Sequence, residues 1–459
     1  VAREPDERLE VAPGDGLARR FSARPKATGL ALFVACFVLF HANGRPIVQI
    51  DTIPAPWAAF ELVLEGSVDL SRVRYLDRFE RALVHRPDGG RVSRYPPGST
   101  FIAAPFAAPF AWVTGEPLRP SRMRRFGKLV AAACCAAAIA LFAATCRAVA
   151  PGAVVPATVV LAAGTTVWSV ASQALWTHGP ALFWVCLGHY LQWVAWPRAR
   201  KRKATGRGSP DAIAAWAGVA YGLAIFTRPT TALVALGSLS ALAAVRAWRE
   251  TSLTAAGAAV PVAALLLYDW LQFGALGTGG YGAEATRFDT PVWTGLTGLL
   301  LAPSRGLWIY SPALVLAPYG WWAVQKRRAS AAGEARGRAL LLGWWAAAIA
   351  TLVLYAKWHA WAGGWCFGPR FLTETLPVWA LLFAVAADGH ARWTPVRRAG
   401  LALLVAASVA VHALGVFGDG NDWNQRNAGK GRYFAWDDTQ IAAHARHLAS
   451  RVVGAFDGD

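Results

Sequence analysis

The chain has 459 residues, 55% of them hydrophobic and only 16% charged, with 23 tryptophans and a formal net charge of +19. An ordinary soluble domain carries roughly 25% charged residues and cannot hide many helices that are apolar all round. The apolar runs "ATGLALFVACFVLFHA", "LVAAACCAAAIALFAATC" and "AGLALLVAASVAVHALGVF" come near the length of about 20 residues that crosses a bilayer core, so a soluble fold is excluded in favour of an all-α polytopic membrane protein. Lys and Arg gather between the runs, as in the cytoplasmic loops of such proteins, which explains the positive charge without nucleic acid.

Residues 1–26 place Arg19, Arg20, Arg24 and Lys26 ahead of the first run, with no small-residue cleavage site. They read as a cytoplasmic tail followed by an uncleaved anchor. An outer loop, residues 43–95, comes next, and in it Asp51 stands between Ile50 and Thr52-Ile53-Pro54. Such an acid is either the side chain of an Asx turn before Pro54 or a reacting group. Residues 96–113, "PPGSTFIAAPFAAPFAWV", carry four prolines; proline removes a backbone donor and breaks helices, which predicts a bent, partly embedded element.

Spans follow at 129–146, 154–171 and 183–196. Three basic stretches, "PRARKRKATGRGSP", "QKRRASAAGEARGR" and "HARWTPVRR", belong on the cytoplasmic side. Alternation between them sends 212–227, 253–271, 340–355 and 400–417 outward and 230–245, 311–324 and 376–387 inward. The result is a membrane domain over 27–417 with about 11 spans, or twelve if 96–113 crosses. Counting back puts "LRPSRMRRFGK" outside, a conflict with the charge rule that hinges on whether 96–113 spans; the alternative moves "LWTHG" to the cytoplasm. Residues 272–310, 357–371 and the tail 418–459 fall outside. Cys36, Cys134, Cys135, Cys146, Cys186 and Cys366 lie mostly within apolar runs and have no metal spacing, so they read as packing residues.

This topology collects the polar groups at one boundary. Asp51, Glu61, Glu65, Asp69, Arg94, His178, Arg228, Asp269, Arg287, Asp289, Arg305, His359, Arg370 and Glu374 all lie at outer span ends or in outer loops, interleaved with aromatic residues such as Trp176, Trp308, Tyr310 and Trp365. A transporter holds its charges near the midplane. Groups at the boundary suit a substrate with an apolar tail in lipid and an anionic head at the interface. Arg228, Arg305 and Arg370 each sit in a Gly- or Pro-containing turn, and guanidinium offers forked donors to phosphate. Glu374, just inside a span, reads as the ion-pair partner of Arg370 one turn earlier.

In this order and spacing, Asp51, "RYPPG" at 94–98, "ALWTHGPAL", "GLAIFTRPTTAL", "PSRGLWIYSP" and "GGWCFGPRFLTETLP" resemble the GT-C superfamily of membrane glycosyltransferases, over about residues 41–377. The resemblance implies a GT-C-type bundle and an inverting transfer of sugar from a polyprenyl-phosphate carrier. It maps the general base onto Asp51 and sets Arg94 beside the "PP" position associated with lipid phosphate. With the groups singled out above, lipid-phosphate and sugar contacts are expected at Arg94, Tyr95, His178, Arg228, Arg305, Tyr310, His359 and Arg370.

Many relatives pair two acids in the first loop, whereas Thr52 follows Asp51 here. No cofactor is therefore assigned, with a divalent cation as the open alternative. The expected partners are the polyprenyl-phosphate sugar, a lipid, glycan or protein acceptor, and membrane lipids, but no nucleic acid. The abundance of Ala, Arg and Gly over Lys points to a bacterial cytoplasmic membrane, with the site facing outward. Competing readings are a transporter or lipid flippase, which would predict inverted repeats that the sequence lacks, and a non-catalytic scaffold.

Overall fold

The computed structural model describes residues 25–203, 206, 208–277, 279–326, 332–418, 421–427 and 430–457. The expected cytoplasmic tail, apart from its last two residues, lies outside the described residues, as do parts of the basic stretches near 204–207 and 327–331. The chain is helical almost throughout, with one two-stranded hairpin, β1 (Leu83–His85) and β2 (Arg91–Ser93), paired antiparallel with Leu83 opposite Ser93. Among the described residues, six helices are long and apolar enough to cross a membrane, and four shorter apolar helices of 10–17 residues accompany them.

The first helix, α1 (Pro25–His41), leads through a loop to α2 (Pro54–Glu65), α3 (Gly98–Thr114) and the long α4 (Pro120–Val149). Alanines 131, 132, 136 and 138 of α4 are fully buried, which lets the helix pack closely against α1, where Phe40 is fully enclosed. Then come α5 (Val154–Ala163) and α6 (His178–Tyr190), which runs through a π-helical turn into α7 (Trp196–Lys203). The next four are α8 (Pro210–Thr227), α9 (Ala232–Ala244), α10 (Trp248–Phe273) and α11 (Val292–Leu301). The set continues with α12 (Ala317–Lys326), α13 (Ala332–Lys357), α14 (Leu376–Ala387) and α15 (Pro395–Phe417).

Small residues decide the closest crossings, as expected where lipid removes the hydrophobic drive between helices. A Cβ at Gly218 or Gly222 of α8 would strike the Thr254 or Ala258 carbonyl of α10, and one at Gly257 would strike Ala215. Gly237 of α9 and Gly343 of α13 meet in the same way. Every residue of α14 is buried, which makes it the central helix. All six cysteines are free and buried, as packing residues should be.

Within the proline-rich segment, Gly98–Thr114 form one continuous helix, α3, despite Pro105 and Pro109 inside it. Its first residue, Gly98, abuts Thr227 at the end of α8. Phe101 meets Phe226 at 5.4 Å, and Phe110 meets Phe126 in the second turn of α4 at 6.2 Å. Both ends of α3 therefore sit at the same end of the bundle, and the helix runs along that end beside α2. This puts "LRPSRMRRFGK" at the same end as Asp51. The outward face of α3 carries exposed Phe106, Trp112 and Val113.

The expected outer tail is ordered into α16 (Asn421–Asn427) and α17 (Gln440–Asp457). His444 of α17 approaches the Leu414 carbonyl of α15 at 3.1 Å, and Trp423 is fully buried. The C-terminal ends of α8 and α13, the N-terminal ends of α6 and α14, and the loop after α1 meet at one end of the bundle. The opposite end is tied by a buried Arg336–Glu250 ion pair and by Arg336 donating to the Gln192 carbonyl at 3.0 Å.

Candidate active site

Asp51 occupies a single 3-10 turn, Ile50–Thr52. Thr52 Oγ1 donates to the Gln49 carbonyl at 2.7 Å and accepts from Gln49 N at 3.2 Å, which closes the turn. The chain ahead of it is pinned by Lys128 of α4, whose ammonium donates to Asn43 Oδ1, to the Arg45 carbonyl at 2.6 Å and to Gln173 Oε1 at 2.9 Å. Asp51 does not cap its own backbone as an Asx turn would. Its Oδ1 accepts from the Tyr95 hydroxyl at 3.1 Å and its Oδ2 from Arg370 Nη1 at 2.7 Å, and the side chain is 26% exposed.

The two partners set its charge state. Burial pushes the Asp51 carboxyl upward, but the Arg370 charge and the hydrogen bonds from Arg370 and Tyr95 outweigh it and hold the group below its ordinary value. Burial, and next to it the Asp51 charge, raise the Tyr95 phenol, so it remains a donor.

Arg370 opens a 3-10 turn into α14. Three glycines in left-handed conformation, Gly363, Gly364 and Gly368, shape the loop before it, with φ of +77°, +66° and +79°; only glycine takes such values without strain. The guanidinium lies 4.5 Å from the Trp176 ring centroid.

Glu374 does not pair with Arg370, and the sequence expectation is corrected here. Its Oε1 lies 2.7 Å from His178 Nδ1 and 3.2 Å from Arg228 Nε. The reason is tertiary: Asp51 takes Arg370, while the start of α6 and the end of α8 bring two other bases to Glu374. Arg228 also donates to Thr177 Oγ1 at 3.2 Å and to the Tyr355 hydroxyl.

A third pairing completes the cluster. Arg94 Nη2 donates to Glu284 Oε2 at 2.7 Å, and His359 Nε2 is 3.3 Å from Glu284 Oε1. Tyr281 joins the parts: its ring lies 5.2 Å from the Arg94 guanidinium and 6.1 Å from the Tyr95 ring. Burial and then the Asp51 charge push its phenol up to about 12, and it also feels Arg228 and Arg370.

Asp51, Arg94, Tyr95, His178, Arg228, His359 and Arg370 are thus brought together. Arg305 and Tyr310 are not. Arg305 is fully buried, and its guanidinium donates to the Ala362 and Gly364 carbonyls at 2.7 and 2.9 Å and to Gln440 Oε1 at 2.7 Å. Tyr310 donates to the same Gln440 oxygen at 3.1 Å. Both residues brace the loop that precedes Arg370.

Glu284, Tyr281 and Tyr355 were missed by sequence reasoning. Glu284 is the lone acid of the glycine-rich "GTGGYGAEAT", the one signal that could have drawn attention to it.

Three carboxylates face three guanidinium groups, so the cluster is self-neutralised. Even so, the Nε–H groups of Arg94 and Arg370 are buried with no hydrogen-bond acceptor, an unusual condition for buried donors. A divalent cation does not fit. Both Asp51 oxygens are occupied by Tyr95 and Arg370, and no group of three or more His, Cys, Asp or Glu among the described residues could hold a metal.

The apolar helices, with the cluster at one end of their bundle, define a polytopic helical membrane protein. In particular, the chain is similar in structure to ArnT from Cupriavidus metallidurans in the apo state, with 18% identity and a TM-score of 0.51 over 82% of this chain. This chain spans 62% of that protein's length. The Archaeoglobus fulgidus oligosaccharyltransferase also matches, in its apo form (15% identity, TM-score 0.48, 85% of this chain and 56% of that one). Its form tethered to an acceptor peptide gives 15% identity and a TM-score of 0.49 over 87% of this chain and 55% of that one. At these identities the likeness is one of fold. No protein-family model and no curated protein matches the sequence.

Proposed function

We propose that the chain is an integral membrane glycosyltransferase. It moves a sugar from a polyprenyl-phosphate carrier to an acceptor hydroxyl, with inversion, at the outer face of a bacterial cytoplasmic membrane. The observation that carries the reading is the convergence of one partly exposed carboxylate, Asp51, with Arg370, Arg228 and Arg94 at the helix ends. The fold shared with membrane glycosyltransferases supports it.

The acceptor hydroxyl gives its proton to an Asp51 oxygen as its own oxygen attacks the anomeric carbon. The bond from that carbon to the carrier phosphate breaks, and its electron pair leaves on the phosphate oxygen. A positioned base contributes roughly 10²–10⁴-fold. The phosphate departs without an acid because preorganised guanidinium groups balance its charge. In the free protein Arg370 neutralises Asp51. A bound phosphate competes for Arg370, and Asp51 gains basicity as its partner turns away. Glu374 holds Arg228 and His178 in place, and Glu284 holds Arg94.

The test is sugar transfer from a panel of radiolabelled polyprenyl-phosphate sugars by membranes containing wild type or Asp51→Asn. The variant should lose at least about 10²-fold in kcat at equal expression. Full activity would remove Asp51 from the base role, and movement of glycolipid without a covalent product would favour the flippase.

A further inference from the structure

A cavity of about 140 Å³ borders the turn that carries Asp51, with Gln49 at the start of that turn and Trp176, against which the Arg370 guanidinium lies, in its wall. Its walls come from the segment 45–49, from Trp176, from Trp365 in the loop before Arg370, and from Asn424, Gln440 and His444 of the C-terminal segment. We infer that this cavity is the acceptor subsite and that it takes a neutral sugar ring, so that the acceptor is a glycan. The inference rests on the glycosyltransferase reading above.

Position is the first argument. Gln49 closes the turn that holds Asp51, and Trp176 underlies the Arg370 guanidinium that pairs with Asp51. Arg94, Arg228 and Glu284 take no part in its wall.

Lining chemistry is the second. Among the described residues no carboxylate lines the cavity, and the Arg45 guanidinium in its wall donates to the Gly418 carbonyl at 2.7 Å. Beside apolar side chains such as Ile47, Val48, Val170 and Phe367, the walls carry amides, an imidazole and two indoles. A sugar uses this combination: an aromatic or apolar face for its C–H surface and amide groups for its hydroxyls. A lipid tail would leave the polar groups of the wall without a partner, and an anionic group would want uncommitted cations. The Trp176 indole N–H, on a side chain 4% exposed, is buried without a partner, so a ligand oxygen would satisfy it.

The third argument explains residues that stand apart from the arginine cluster. Gln440 accepts from Arg305 and Tyr310 through Oε1 and donates through Nε2 to the Cys366 carbonyl at 2.8 Å and to Asn424 Oδ1 at 3.3 Å. Arg305 and Tyr310 therefore fix Gln440, which fixes Asn424 in the cavity wall. The motif "PSRGLWIYSP" is built to hold this wall rather than to bind phosphate.

The experiment is saturation-transfer NMR on the full chain in lipid nanodiscs, with neutral methyl glycosides of glucose, mannose, galactose and N-acetylglucosamine and a serine tripeptide as probes. At least one glycoside should bind. Trp365→Ala, at a side chain 41% exposed and so harmless to folding, should weaken it about tenfold, the loss of one aromatic contact of about 1.4 kcal/mol. Asn424→Ala should weaken it as well, and Trp365→Phe should restore most of it. No glycoside binding, binding indifferent to both alanine variants, or binding of the tripeptide alone would overturn the subsite. If Asp51→Asn kept full transfer while Trp365→Ala lost the glycoside, the base role would fall and the subsite would stand. If Asp51→Asn lost transfer while the glycoside ignored Trp365→Ala, the subsite alone would fall.

Discussion

Replacing Arg370 by Gln removes the cation 2.7 Å from Asp51 and leaves a carboxylate that is only 26% exposed. In the wild type the Arg370 charge and hydrogen bonds overcome burial and hold Asp51 below its ordinary 3.8. The Arg370 charge is the largest of the influences that lower the carboxyl. Without it, burial is opposed only by the smaller effects of the Tyr95 hydrogen bond and of His178, and the group rises.

The sign follows directly. A general base works ionised, so the acid limb of kcat/KM lies below the ordinary carboxyl value in the wild type and moves to higher pH in Arg370→Gln. The kcat/KM profile reports the free enzyme, where the ion pair is intact. Sugar transfer measured from pH 3 to 8 reads the shift, with Arg370→Lys as the charge-retaining control whose limb stays low. An unmoved limb in an Arg370→Gln variant that still transfers sugar would refute the role of Asp51 as the titrating base. If the variant is inactive, an infrared difference titration of the Asp51 carboxyl gives the same answer.

Glu374→Gln strips a buried acid of its charge, leaving Arg228 and His178 uncompensated, and should cost about 3–5 kcal/mol of stability. Because all six cysteines are free and buried, a thiol-reactive dye reports unfolding directly; a change below about 1 kcal/mol would show that the triad is not a buried ion pair. Gly218→Val should push α8 from α10 and destabilise by about 1–3 kcal/mol in the same assay, whereas Gly333→Ala, with open space around its Cβ, should be silent. Orientation is tested in whole cells: an impermeant thiol reagent should label Arg124→Cys from outside and Arg200→Cys only after permeabilisation. The reverse pattern would invert the proposed topology.

Composition alone determined that this is a polytopic helical membrane protein, because hydrophobicity is local and additive along a run. The order of its boundary motifs resembles that of membrane glycosyltransferases, and the placement of Asp51, Arg94, Arg228 and Arg370 at span ends anticipated most of the cluster. Pairing was beyond it. Asp51 and Arg370 stand 319 positions apart, so only the packed bundle could decide that they meet, that Glu374 turns to His178 and Arg228, and that Arg305 braces a loop wall. Likewise the proline-rich α3 reads as apolar and near spanning length, yet its course along the bundle end is set by the contact of Gly98 with Thr227 and of Phe110 with Phe126. Burial and charge type are written residue by residue; which charges neutralise each other depends on distances that exist only once the helices have packed.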